Sequence, residues 1–274
     1  GVNKKVHAVN SNTMQVLESV KLPDPYGLGL SPEGSLLYVS NEGDNSLSVV
    51  AVSLKKKKFM TEVARVSVGE GPRAVAVSPD NEDVFVLNRQ GNTISIVDAG
   101  TNSVRRTLTQ SGINRPNDVC LGMREFSGGP AFQSGTYHGF ITNGGGDNVL
   151  IYEGGPTGVA GIGFDNIIGG IAPNKPIVDG QPTFQDMANP TGIVYDPNTP
   201  LDGFAHTIGA FIAHQDAQEG NAMVSRIAYS ADSSPGQATF NAGNISPGFG
   251  EKVFTFIQQY SSTSSGKGLD VALP

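Results

Sequence analysis

"PRAVAVSPDNEDVFVLN", residues 72–88, spells two short strands and the turn between them. Val75 and Val77 alternate behind an opening proline, as residues of a half-buried strand do. Ser78-Pro79-Asp80-Asn81 then makes the turn: proline presets φ at the second position, and Asp and Asn tolerate the tight backbone of the third and fourth. The second strand closes on "FVLN", 85–88. The same grammar recurs in "PYGLGLSPEGSLLYVSN", residues 25–41, with Leu28 and Leu30 alternating and a turn at Ser31-Pro32-Glu33-Gly34. It recurs in "PNDVCLG", 116–122, where Val119 and Leu121 alternate and "FITN", 140–143, comes after an interruption from Arg124 to Thr136. A fourth copy, "PTGIVYDPNTP", 190–200, leads to "FIAH", 211–214, in which His214 replaces the asparagine. A Gly/Asn/Asp turn and a third alternating strand succeed each copy: "NSLSVV", "NTISIV", "DNVLIY" and "AMVSRI".

The opening prolines, 25, 72, 116 and 190, are spaced by 47, 44 and 74 residues. The first two intervals fit the period of about 40–50 residues of a four-stranded propeller blade. The third predicts an insertion, placed at Gly154 to Asp186, which is rich in Gly, Pro and Asn and lacks alternation. The expected fold is therefore all-β, a β-propeller of four-stranded antiparallel blades. The expected blades are 25–68, 72–109, 116–153 and 190–260, with 154–186 an inserted loop. "KKVHAVNSNTMQVLESVKL", 4–22, aligns with "NTISIVDAGTNSVRRTL", 92–108, so residues 1–22 read as the outer strands of a blade. "GLDVALP", 268–274, aligns with "PNDVCLG", so 266–274 reads as the first strand of a further blade. Two half-blades beside four blades lead to the expectation of part of a larger, about seven-bladed, propeller in a longer chain.

Composition narrows the function. Net charge is −7 over 274 residues, which disfavours a nucleic-acid partner. No apolar run approaches the 18 or so residues of a membrane-spanning helix. The single cysteine, Cys120, excludes an intrachain disulfide framework. It aligns with Gly29 and Ala76, small positions of the first strand, and so reads as a buried, inert thiol. Lys55 to Lys58 fall between a third and a fourth strand and read as a solvated outer loop. Abundant Asn, Ser, Thr and Gly suit an exported protein, at the cell surface, in the periplasm or outside the cell.

The repeat resembles the YVTN-repeat β-propellers, relatives of the NHL and surface-layer propellers. "PRAVAVSPDNEDVFVLN" and "PYGLGLSPEGSLLYVSN" carry that resemblance down to the Ser-Pro-Asp/Glu turn and the terminal Asn. "RPNDV", 115–119, with "TNGGGDN", 142–148, resembles instead the gluconolactonase and paraoxonase class. That resemblance implies a calcium held by channel Asn, Asp and Glu oxygens and polarising a lactone or ester carbonyl. Carried onto this chain, Asn117 is the first candidate ligand, with Asn143 or Asp118 beside it and Asp270 at the equivalent of Asp118. Only Glu42 sits in a loop corresponding to that of the expected glutamate. A structural reading competes: the signature asparagines Asn41, Asn88 and Asn143 would bond the turns, and Asp118 would clamp adjacent blades through backbone N–H groups. "FIAHQDAQEGN" faintly resembles blades of quinone-binding sugar dehydrogenases, which makes His214 a candidate catalytic base, against the alternative of a surface-loop histidine. No nucleophile elbow or zinc-type Cys/His spacing occurs.

Three functions are open on these grounds. The first expected is a non-catalytic binding module for a protein, glycan or cell-envelope partner. The second is a calcium-dependent lactonase or esterase centred on Asn117. The third is a propeller component of a redox assembly with His214 near a cofactor.

Overall fold

The computed structural model describes residues 4–53, 58–123, 137–154, 165–171, 187–196, 207–216, 222–230, 252–254 and 260–261. Every regular element among them is a β-strand. The chain divides into two compact units, Gly1–Thr109 and Gln110–Pro274.

The first unit opens with β1 (Lys5–Val9) and β2 (Val16–Lys21), an antiparallel pair that forms a sheet of its own. Two four-stranded antiparallel sheets come next. One is β3 (Pro25–Leu30), β4 (Leu36–Asn41), β5 (Ser46–Val52) and β6 (Met60–Ser67). The other is β7 (Pro72–Val77), β8 (Asp83–Asn88), β9 (Thr93–Asp98) and β10 (Ser103–Leu108). The middle strands β4, β5, β8 and β9 are buried on both faces, which is why they read as near-continuous apolar runs. Tyr38, Leu47, Val49, Val84, Val86 and Val97 pack into one core that joins the two sheets.

The second unit repeats the pattern. β11 (Pro116–Met123), β12 (Tyr137–Asn143), β13 (Asn148–Gly154) and β14 (Asn166–Ile171) form one sheet. β15 (Met187–Asp196), β16 (Thr207–Asp216), β17 (Ala222–Ser230) and β18 (Lys252–Phe254) form another, and β19 (Tyr260–Ser261) also pairs with β17. Phe140, Val149, Ile151, Ile193 and Ile212 join these two sheets.

One boundary changes. The segment 154–186 is not a loop throughout, because β14 lies inside it and supplies the fourth strand of the third blade. "NIIGGI" hides from pattern reading since it is an outermost strand whose two glycines blank the alternation. The interruption at 124–136, Lys55 to Lys57 and the strand expected at 266–274 lie outside the described residues.

Local chemistry explains why the grammar is fixed. In the first hairpin turn Leu36 N–H donates to Ser31 Oγ (3.0 Å) and Gly34 N–H to Ser31 O (2.8 Å). In the second, Asp83 N–H donates to Ser78 Oγ (2.9 Å) and Asn81 N–H to Ser78 O (2.9 Å). The left-handed position is Gly34 (φ 74°) in one turn and Asn81 (φ 64°) in the other, the two residue types that bear it most cheaply. The Ser or Thr before the signature Asn caps a strand bulge: Ser40 Oγ accepts from Gly27 N–H (2.8 Å), and Thr142 Oγ1 from Asp118 N–H (2.9 Å). The later turn holds Asn45, Asn92 and Asp147 at φ 55°, 52° and 50°. Asn45 Oδ1 takes Gly71 N–H (3.0 Å), and Asp147 Oδ1 takes Asn189 N–H (2.8 Å). Each reaches the residue just before the next blade's opening proline, so this turn also spaces the blades.

Candidate functional site

Pro25 pairs with Asn41, Pro72 with Asn88 and Pro116 with Asn143. Strand starts and signature asparagines therefore share one end of each sheet, and it is there that several blades bring side chains to the surface.

The signature residue is buried in all four blades: Asn41, Asn88, Asn143 and His214 are each 0% exposed. Asn41 Nδ2 donates to Ser46 Oγ (2.9 Å) and Ser48 Oγ (2.8 Å); Asn88 Nδ2 donates to Thr93 Oγ1 (3.0 Å) and Ser95 Oγ (2.9 Å). Asn143 Nδ2 donates to Asn148 Oδ1 (2.7 Å) and Gly112 O (2.9 Å), and its Oδ1 accepts from Asn114 N–H (2.7 Å). Asn41 Oδ1 and Asn88 Oδ1, also buried, have no such donor among the described residues.

His214 takes the asparagine's structural place. Its Nε2 meets Ser225 Oγ at 2.7 Å, and Ser225 sits in the register position that Ser48 and Ser95 hold in their blades. Nδ1 meets Gln215 O at 2.8 Å, so the neutral ring donates from Nδ1 and accepts at Nε2. The surface-loop alternative is thus corrected, and with both nitrogens engaged and no exposure the ring has no access to a substrate proton. His214→Asn is expected to keep the Ser225 bond and change stability by under about 1 kcal/mol, whereas His214→Ala, leaving Ser225 unpaired, should cost about 1–3 kcal/mol in urea unfolding. His138 is likewise an interior residue of β12, 1% exposed.

Asp118 and Asn117 tie two strands together. Asp118 Oδ1 accepts from Val119 N–H (2.9 Å) and Oδ2 from Ile193 N–H (3.0 Å). Asn117 Nδ2 donates to Pro190 O (2.7 Å). The three glycines at 144–146 close over these amides: a Cβ at Gly144 would come within 2.2 Å of Asn117 Nδ2, and one at Gly146 within 2.2 Å of Asn143 Nδ2. A calcium site needs oxygens converging on one point with free lone pairs. Here both Asp118 oxygens and Asn143 Oδ1 accept backbone N–H groups, which gives each a structural part in joining strands. Among the described residues no cluster of three His, Cys, Asp or Glu side chains could hold a metal. Asp270 lies outside the described residues.

Cys120 is half-buried in β11 and pairs with Phe140 across the sheet. Burial pushes its thiol well above the ordinary cysteine range, with the Asp118 charge adding to the effect. Labelling by a thiolate-specific disulfide reagent at pH 8 should be at least about tenfold slower in the native chain than in urea, and equal rates would contradict this assignment.

A cluster of which the sequence had singled out only Glu42 lies at the same sheet end in the first unit. Tyr26 follows Pro25, Arg73 follows Pro72, Glu42 follows Asn41, and Gln90 lies two residues beyond Asn88. The Arg73 guanidinium sits 4.5 Å from the centre of the Tyr26 ring, with Nη1 3.2 Å from Tyr26 Oη. Arg73 Nη2 lies 3.4 Å from Glu42 Oε1, and Gln90 Nε2 donates to the same oxygen at 3.1 Å. The carboxylate is thus held by Oε1, leaving Oε2 without a partner among the described residues, while its side chain stays 24% exposed. Tyr26 is 56% exposed, an aromatic face open to a ligand. Gly71 (φ 61°) makes room: a Cβ there would meet Gln90 at 2.5 Å. The residues that come directly after the opening prolines, Tyr26, Arg73, Asn117 and Thr191, were the signal available in the sequence.

The family described as "Lactonase, 7-bladed beta-propeller" matches residues 24–123, a stretch that contains Tyr26, Glu42, Arg73 and Gln90. A 6-phosphogluconolactonase of Formosa agariphila is 35% identical over 69 residues, 24% of this chain and 20% of that one. Among solved structures, the hydrazine synthase of Kuenenia stuttgartiensis aligns with TM-score 0.53 and 20% identity, over 83% of this chain and 57% of that chain. The periplasmic gluconolactonase of Pseudomonas aeruginosa aligns with TM-score 0.50 and 15% identity, over 98% of this chain and 64% of that one. The chain therefore spans a fifth of the length of the curated relative and less than two thirds of either structure. The fold is a β-propeller of four-stranded antiparallel blades.

Proposed function

We propose that the chain hydrolyses the lactone of a sugar acid, at the Tyr26, Glu42, Arg73 and Gln90 cluster. The observation that carries this is the carboxylate of Glu42, anchored through Oε1 by Gln90 and Arg73 and open at Oε2, beside a guanidinium and an exposed aromatic ring. The lactonase-family match over the same residues and the lactonase names of its relatives support the substrate class.

Each group has a role in this reading. The Tyr26 ring takes the apolar C–H face of the sugar ring. Glu42 Oε2 accepts a proton from water as its oxygen bonds to the lactone carbonyl carbon. Arg73 turns from the long 3.4 Å contact with Glu42 to the carbonyl oxygen, where negative charge gathers in the tetrahedral intermediate. The ring C–O bond then breaks and the departing oxygen takes the proton held by Glu42, giving a hydroxy acid whose carboxyl group releases its own proton to water and faces Arg73 as the carboxylate. Calcium has no part in this scheme, in contrast to the hydrolase around Asn117 that the sequence offered as an alternative to a binding module. An extracytoplasmic location, in line with the periplasmic relative, belongs to the same proposal.

The test is a pair of substrates, glucono-δ-lactone and its 6-phosphate. Opening of either above the spontaneous rate, with kcat/KM reduced by Arg73→Met, supports the proposal. If neither is turned over and gluconate does not bind, the lactone reading falls, and the binding-module function takes its place.

A further inference from the structure

Tyr26, Arg73 and Glu42 come together from three strands. Tyr26 lies on β3 and Arg73 on β7, 47 residues apart, while Glu42 directly follows Asn41, the last residue of β4. Their side chains meet at 4.5 Å from guanidinium to ring centre and 3.4 Å from Arg73 Nη2 to Glu42 Oε1. Contacts of this kind between partly exposed groups contribute little on their own. The geometry of the cluster is therefore set by the main chains beneath it.

Ser40 sits where those three strands meet. Its Oγ accepts from the N–H of Gly27, the residue after Tyr26, at 2.8 Å, and donates to Arg73 O at 2.5 Å. Gly27 leaves the way clear: a Cβ there would fall 1.9 Å from Arg73 O and 3.1 Å from Ser40 Oγ. A hydroxyl has one proton to give and lone pairs to receive, so a single group can join both strands at once. Ser40 thus ties β3 and β7 to the strand that leads into Glu42.

The sister blades show that this is not the ordinary work of the position. The residue before the signature is Ser40, Leu87, Thr142 and Ala213 in turn. Leu87 and Ala213 carry no hydroxyl. Thr142 Oγ1 accepts from Asp118 N–H at 2.9 Å and lies 3.3 Å from Asp118 O, so it serves the hairpin of its own blade. Among the described residues, Ser40 is the one member of this set whose side chain bonds to the next blade, and its blade bears the cluster.

We infer that Ser40 is a positioning residue of this site, setting the Tyr26 ring and the Arg73 guanidinium in place beside Glu42. At 0% exposure its hydroxyl lies beneath the site and out of a ligand's reach. What the geometry achieves rests on the lactone reading; that Ser40 sets it has a readout of its own. In that reading the Arg73 side chain turns from Glu42 to the carbonyl oxygen, and the bond at Arg73 O keeps the base of the turn fixed. Misplacing a catalytic group by about 1 Å is enough to cost about 10²-fold in rate.

The test sets Ser40→Ala beside Ser40→Thr and Ser78→Ala. Ser78 offers a matched hydroxyl, also 0% exposed, that accepts from Asp83 N–H (2.9 Å) and donates to Asp80 Oδ1 in the turn at the opposite end of its sheet. Ser40→Thr keeps the hydroxyl, and Thr142 shows that the repeat accommodates the added methyl. The first readout is the ring-current shift that Tyr26 imposes on the Arg73 side chain, followed by NMR in 13C-arginine-labelled chain and assigned with Tyr26→Leu. It should vanish in Ser40→Ala and persist in Ser40→Thr and Ser78→Ala. The second is kcat/KM for glucono-δ-lactone, expected to fall about 10- to 100-fold in Ser40→Ala and to stay within a few-fold in the other two. Ser40→Cys, whose thiol donates weakly, should fall between Thr and Ala, and carries the comparison if Ser40→Ala does not fold. A ring-current shift that persists without the hydroxyl, or equal kcat/KM losses in Ser40→Ala and Ser78→Ala, would overturn the inference. Shifts that follow expectation in a chain that opens no lactone uphold Ser40 as the positioning residue and remove the lactone reading instead.

Discussion

Glu42→Gln should lower kcat for lactone opening by about 10²–10⁴-fold while leaving KM within a few-fold of its starting value, the range expected for loss of a general base. The amide keeps the anchor at its oxygen, where Gln90 Nε2 and Arg73 Nη2 donate, so the shape of the site survives. What disappears is the proton-accepting oxygen. Arg73→Met should act differently. It removes the donor aimed at the developing oxyanion, worth about 10²–10³ in kcat for comparable groups, and also the partner of the product carboxylate. A KM increase accompanying the kcat loss in Arg73→Met, but not in Glu42→Gln, separates the two roles. Initial-rate assays on both variants, with circular dichroism to confirm that the sheets remain, make the comparison.

The second large effect concerns stability. Asp118→Ala should destabilise the second unit by about 2–3 kcal/mol, since hydrogen bonds to a charged acceptor contribute about 1.5–3 kcal/mol and two N–H groups are left behind. The loss is greatest for Ile193 N–H, which the aspartate reaches across from β11 to β15. Asp118→Asn keeps one acceptor and should recover part of that loss. Urea unfolding followed by tyrosine fluorescence reads the shift in midpoint. If Asp118 serves only to hold the Val119 and Ile193 N–H groups, added calcium should move the midpoint of neither variant nor the unchanged chain. A calcium-dependent midpoint that vanishes in Asp118→Ala would restore the metal reading.

Much of this fold was legible because one physical pattern recurs. An opening proline, two alternating residues and a Ser-Pro turn describe β3 with β4 and β7 with β8 so closely that the strands fall where the pattern places them. β14 was illegible for the opposite reason. An outermost strand needs little apolar alternation to hold its place, and Gly169 and Gly170 remove what signal remained. His214 misled because a substituted repeat position invites a chemical explanation; its partner Ser225 lies 11 residues away and is found only once β16 and β17 are paired. The Tyr26 and Arg73 contact was hidden more deeply, for its members are 47 residues apart and meet only when neighbouring blades stack. A motif search favours residues that cluster in sequence, such as Asn117 and Asp118, and those proved to be occupied in holding strands together.

Whether Glu42 opens a lactone without a metal is decided by a pH-stat record of glucono-δ-lactone opening by the purified chain in excess EDTA, run beside Glu42→Gln. Acid release well above the spontaneous rate in the unchanged chain, indifferent to EDTA and lost in Glu42→Gln, is the predicted result. Acid release that EDTA abolishes, or that Glu42→Gln leaves intact, would contradict it and move the chemistry away from Tyr26, Glu42 and Arg73.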